Sequence, residues 1–150
     1  MKKRLHNVLG IIQLFVALGA LPAGYLMILT PDGSRMGMNP LQLSGSPFHD
    51  FLLPGLFLFI VDGIFNLISA FLSFRNSRFT GLTGLGSGII LLLWILIQVS
   101  IIGLNSILQP AFFILGILET ALATWWIRLK RDTVTGQNIR LRGVRNQENP

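Results

Sequence analysis

Four apolar runs, Val8 to Leu29, Phe51 to Phe74, Leu82 to Leu104 and Ile107 to Ile127, limit what this chain can fold into. Each has roughly the 20 residues that a helix needs to cross a bilayer. A large soluble core would break its hydrophobic segments with charge every few residues, whereas here the charges gather at the run ends. The composition agrees: 51% of the residues are hydrophobic, 12% are charged, and the mean hydropathy is +0.65. The runs show no strand-like alternation, and backbone in lipid must satisfy its hydrogen bonds internally, so each run predicts a helix. The expected fold is all-α, an integral membrane four-helix up-down bundle.

The positions of Lys and Arg orient it. Lys2, Lys3 and Arg4 precede the first run, Arg75 and Arg78 separate the second from the third, and Arg128, Lys130, Arg131, Arg140, Arg142 and Arg145 follow the fourth. Arg35 alone falls in the opposite loops, so eleven of the 12 cations share one side. The positive-inside rule makes that side the cytoplasm and places both termini there.

A transmembrane domain over residues 1–131, with an outer loop at 30–50, is then followed by a basic cytoplasmic tail, 132–150, too short to form a domain. The start, "MKKRLHNVLGIIQLFVALGALPAG", has the outline of a signal peptide. Leu18 and Leu21 occupy the −3 positions where small residues are needed, and the apolar run continues to Leu29, so the segment is expected to be retained as a helix. In the outer loop, Ser46-Pro47 has the form of an N-cap followed by a first-turn proline, which predicts one short interfacial helix. The connection "GLNSILQP" is so short that the third and fourth helices must be antiparallel neighbours.

The stretches "GSPFHDFLLPGLFLF", "LLLWILIQVSIIG" and "LQPAFFILGILE" resemble, in order and spacing, a family of small four-span bacterial membrane proteins with no assigned activity. The resemblance covers most of the chain up to Arg128. It implies the topology and a bacterial inner membrane, and it brings no residue roles.

The chemistry lies in the polar residues inside the runs. Asp62, Asn66, Ser69 and Ser73 recur at helical spacing and share one face. Ser87, Trp94, Gln98 and Asn105 do the same in the third run, while Gln13 stands among small residues in the first. The fourth offers Gln109, Gly116, Glu119 or Thr120, and Thr124. Lipid is no partner for such groups, so these faces should point inward. At 1.5 Å per residue, Asp62 lies roughly 16 Å and Glu119 roughly 14 Å from the outer ends of their helices, against a half-thickness of about 15 Å. Two carboxyl groups at the midplane, with no Lys, Arg or His in reach within the apolar runs, cannot readily both ionise. At least one is expected to be protonated, unless the pair shares a proton or binds a cation. Asn66, Gln98, Glu119 and the Leu18 carbonyl, freed by Pro22, are the candidate hydrogen-bond partners of Asp62.

Other signals are weaker. "GLTGLGSG" lacks the Lys followed by Ser or Thr of a phosphate loop, so Gly81, Gly84 and Gly88 read as a flat face for close helix packing, within the chain or between two copies. His49 and Asp50 read as a solvated His and a helix cap, and no metal site is expected. Trp125 and Trp126, followed by Arg128, Lys130 and Arg131, form an interfacial anchor facing anionic lipid head groups. Nucleic acid is not an expected partner, because the cations are tethered to the membrane surface without interleaved aromatics. The chain has no cysteine, which excludes disulfides, thiolate metal sites and cysteine nucleophiles.

No catalytic set is recognisable and no cofactor is expected. The leading expectation is a non-enzymatic multi-pass inner-membrane protein, serving as an accessory or interaction subunit or binding a hydrophobic small molecule in its outer half. Its partners are the bilayer and a second copy or another membrane protein. Two alternatives use the polar layer directly. One is a membrane enzyme on an isoprenoid or sterol-like substrate, with Asp62 and Glu119 as acid and base and Trp94 walling the pocket; the other is a proton-coupled small transporter.

Overall fold

A computed structural model of the chain describes residues 2–104 and 106–148, with side chains described for 4–104 and 106–132. Asn105 and the side chains of Lys2, Lys3, Arg140, Arg142 and Arg145 lie outside that description. Among the described residues the structure is all-α and strand-free. It comprises α1 (Lys2–Leu29), α2 (Leu52–Phe74), α3 (Thr80–Ile102) and α4 (Leu108–Glu148). Each helix is long and apolar enough to cross a membrane.

The helix ends differ from the apolar runs for local reasons. α1 starts in the basic segment, because nothing between Lys2 and Asn7 breaks a helix. α4 does not stop at Ile127: no Gly or Pro stands between there and Thr135, and the helix runs on through Gly136 and Gly143 to Glu148. Its 41 residues span about 60 Å. α3 ends at Gly103, whose φ of 69° permits the sharp reversal toward α4.

α2 is not uniform. Over Leu58–Ile64 its hydrogen bonding widens to the i→i+5 pattern, and the Phe65 N–H donates to the Ile60 carbonyl. The Asn66 side-chain amide donates to the Asp62 carbonyl at 2.9 Å. A side chain has thus entered the backbone ladder, one of the recognised causes of a helix irregularity. Asp62 and Gly63 sit within this wide turn, both buried.

Around the bundle, α1 packs on α2 and α4, and α3 packs on the same two helices. α2 and α4 make no close backbone approach among the described residues, so they occupy one diagonal. Small residues bring neighbours together: a Cβ added at Gly24 would lie 2.8 Å from the Gly55 carbonyl oxygen of α2. The outward faces are apolar, with Ile11, Phe15, Leu18, Phe71, Leu82 and Leu93 exposed, while Gln13, Asp62, Asn66, Ser69, Ser73, Ser87 and Glu119 are wholly buried. This inversion of the soluble pattern is what a lipid solvent selects.

The 30–50 loop folds over the end opposite the basic loops. Met27, Leu43 and Phe51 form its buried centre, with Met36, Met38 and Phe48 packed around them. The expected short helix does not begin at Ser46-Pro47. It is a 3-10 turn at Pro40–Leu43, where Asn39 accepts from the Leu41 N–H and Gln42 reaches back to the Asn39 N–H. The cap-then-proline signature recurs there with the reciprocal Gln that Ser46-Pro47 lacks. Ser46 instead closes a tight turn onto the Phe48 N–H at 3.2 Å.

Candidate functional site

Two polar layers fill the core. The first, nearer the basic end, is hydrogen-bonded. Ser73 Oγ donates to Gln13 Oε1 at 2.8 Å, and Gln13 Nε2 donates to Ser87 Oγ at 3.4 Å, so one side chain of α1 joins α2 to α3. Ser87 passes its own proton to the Gly84 carbonyl at 3.1 Å. Below them, His6 Nδ1–H donates to the Ser73 carbonyl at 3.0 Å, and its ring meets the edge of Trp126 at 5.5 Å. A carbonyl can only accept, which fixes that ring proton on Nδ1. Thr80 closes the layer by donating to the Leu72 carbonyl at 3.0 Å.

The second layer, at mid-length, is not satisfied internally. Asp62 on α2 and Glu119 on α4 lie on the two helices of the bundle diagonal, each wholly buried and near enough for the charge of one to act on the other. Neither carboxyl group has a hydrogen-bond partner, and neither do Asn66 Oδ1, Ser69 Oγ and Trp94 Nε1. Ser87 stands beside Glu119, and its hydroxyl, 3.1 Å from the Gly84 carbonyl, can turn its proton to either acceptor. With both acids ionised, five oxygens here can only accept, and the donors that face them are few: the Ser69 and Ser87 hydroxyls, the Trp94 indole and the second proton of the Asn66 amide.

The partners expected for Asp62 are therefore not its partners. Asn66 bonds the Asp62 backbone and not its carboxyl group. Pro22 is exposed and Leu18 is 62% exposed, so that stretch of α1 faces outward. Gln98 is half-buried, one turn beyond Trp94. Trp94 stacks on Phe57 with ring centroids 4.5 Å apart and joins Val16, Leu91 and Ile95 in one apolar cluster. It fills the core there.

The remaining residues separate by face. Gly81, Gly84 and Gly88 all turn into their own chain. A Cβ on Gly81 would meet Ile127 at 2.5 Å, on Gly84 Leu9 at 2.9 Å, and on Gly88 the Thr120 backbone nitrogen at 2.7 Å. That face is occupied by α4 and α1. Trp126 is buried against His6, with Lys130 5.2 Å over its ring, whereas Trp125 is half-exposed. Lys130 Nζ also donates to the Ser77 carbonyl at 3.4 Å, tying α4 to the α2–α3 loop at the basic end. Arg128 and Arg131 are exposed. His49 is exposed, and Asp50 accepts from the Leu52 N–H at 3.0 Å at the start of α2. Gln109 is buried at the start of α4 and accepts from the Ser106 N–H at 3.3 Å.

His6 and Thr80 escape a reading of the apolar runs because both precede them. The available signal was a polar residue one helical repeat before Gln13 or Ser87, on the same inward face.

Comparison of the chain with protein-family models, with curated proteins and with solved structures gives no match.

Proposed function

We propose that this is a non-enzymatic four-span protein of the bacterial inner membrane, with both termini cytoplasmic. It acts as an accessory subunit whose Asp62–Glu119 layer holds a proton or small cation taken up from the cytoplasmic side alone. The observation that carries the reading is the asymmetry of the core around that layer. Toward the basic end, Asn66, Ser69, Ser73, Gln13, Ser87 and His6 line the way, buried and polar. Toward the other end stand Trp94 and Ile95, backed by Phe57 and Phe112. A proton can hop along polar groups with water between them, and an aromatic and aliphatic plug offers no such relay. Acceptors outnumber donors in the layer, and a proton or cation restores that balance.

The same plug speaks against the binding of a hydrophobic molecule in the outer half, the other form of the leading expectation, and against the two alternatives. An isoprenoid or other hydrophobic molecule in the outer half would need the space that these side chains occupy. A proton-coupled transporter would need a polar route through it. In vesicles carrying the purified protein and an imposed pH gradient, proton flux should not exceed that of protein-free vesicles. Sustained flux would replace this proposal with transport. Native mass spectrometry of the protein extracted in mild detergent should show a co-purifying membrane protein; a turnover catalysed by the isolated chain would overturn the subunit role.

A further inference from the structure

Two surface grooves flank the basic half of α4, and they share one wall. The larger, about 400 Å³, runs between α3 and α4 along Leu92, Ile117 and Ala121 and ends at Arg128. The smaller, about 240 Å³, runs between α1 and α4 along Val8 and Leu122 and ends at Arg4. Trp125 lines both and is half-exposed between them.

The polar groups in the larger groove are already committed. Thr120 donates to the Gly116 carbonyl at 2.8 Å and Thr124 to the Thr120 carbonyl at 2.7 Å, so neither has a hydroxyl proton left for a ligand. What is left is a pair of parallel apolar furrows, an indole ridge between them, and an exposed guanidinium at the same end of each. Lys130 is not part of this set, since it is held by Ser77 and Trp126.

From this geometry we infer that one anionic diacyl phospholipid sits astride Trp125, an acyl chain in each furrow and its phosphate between Arg4 and Arg128. Two furrows fit a two-chain lipid better than a single-chain one. Paired guanidinium groups favour phosphate, which they can contact through two N–H donors each. An indole at that level suits the region between head group and hydrocarbon. The site is separate from the Asp62–Glu119 layer, so neither proposal depends on the other.

The test compares binding of phosphatidylglycerol and phosphatidylcholine, matched in their acyl chains, to the full-length protein by native mass spectrometry. One phosphatidylglycerol should bind on the order of tenfold tighter than phosphatidylcholine, since each interfacial cation contributes several-fold to such a preference. The double variant Arg4→Gln with Arg128→Gln should lose the preference while still binding phosphatidylcholine, which also shows that it has folded. Replacing Arg140, Arg142 and Arg145 with Gln should leave the preference intact. The single-chain lysophosphatidylglycerol should bind severalfold more weakly than the diacyl form. Equal binding of the two diacyl lipids by the wild type overturns the inference. So does a preference that survives in the double variant but disappears with the tail arginines.

Discussion

Ser73 of α2 donates its hydroxyl proton to Gln13 of α1 at 2.8 Å, and the other end of the same amide reaches Ser87 of α3 at 3.4 Å. Both ends of the amide are engaged, each by a hydroxyl on a different neighbouring helix, so the group acts as a three-helix staple. Interhelical hydrogen bonds in membranes are worth about 0.6 kcal/mol on average and up to about 1.7. Changing Gln13 to Leu also strands a buried Ser73 hydroxyl.

Gln13→Leu should therefore lower unfolding stability in mixed micelles by about 1–2 kcal/mol. Gln98→Leu, at a half-buried position beyond Trp94, should change it by no more than about 0.5 kcal/mol. Equal effects of the two substitutions would remove the staple from the account.

Gly88 and Gly86 give a sharper contrast, because they lie two residues apart in α3 and turn to different neighbours. A Cβ on Gly88 would be 2.7 Å from the Thr120 backbone nitrogen and 2.5 Å from its Oγ1, so helix α4 itself must move. On Gly86 it would be 3.6 Å from the Phe65 ring, an ordinary contact. Gly86→Ala should be neutral or stabilising by up to about 1 kcal/mol through helix propensity, whereas Gly88→Ala should destabilise by about 1–3 kcal/mol. Equilibrium unfolding of the two variants side by side reads the difference.

How far the sequence reached can be judged residue by residue. The stripe Asp62, Asn66, Ser69, Ser73 was legible because period 3.6 is a property of the chain alone, and all four are wholly buried. The wide turn at Leu58–Ile64 was not, because it depends on where the Asn66 amide finds its acceptor, and propensity has no term for that. The extension of α4 to Glu148 was not legible either, because the tail is polar and carries Gly136 and Gly143, and hydropathy alone ends the helix at Ile127. The two tryptophans show the limit most clearly. Adjacent residues on a helix diverge by about 100°, so Trp125 and Trp126 could not both serve one role; one is half-exposed and the other buried against His6.

The orientation is open to a direct labelling test, since the chain carries no cysteine of its own. Ser77 lies in the basic α2–α3 loop and Ser44 in the opposite loop, where it is exposed. In right-side-out membrane vesicles an impermeant maleimide should label Ser44→Cys at once and Ser77→Cys only after the membrane is permeabilised. The reverse pattern would invert the bundle and, with it, the side from which the carboxyl layer is reached.

The carboxyl pair itself yields the most searching prediction. Asp62 and Glu119 are wholly buried, have few donors near them beyond the Ser87 hydroxyl beside Glu119, and have no cation beside them among the described residues. A carboxylate in such a place is far costlier than a neutral acid, unless a bound cation replaces the proton. Without added salt, infrared spectra of the protein in lipid should thus contain the carbonyl band of at least one protonated carboxyl group at neutral pH. Asp62→Asn or Glu119→Gln should remove intensity from it, and the double variant should abolish it. Both amides preserve size, so either variant should fold with stability within about 0.5–1 kcal/mol of the wild type. If sodium or potassium is the natural occupant, adding that ion should bleach the band in the wild type and leave the double variant unaffected. A spectrum with no protonated carboxyl band in salt-free buffer, together with collapse of Asp62→Asn on extraction, would mean that both acids are ionised and paired with a cation. The proton-holding layer would then have to be given up.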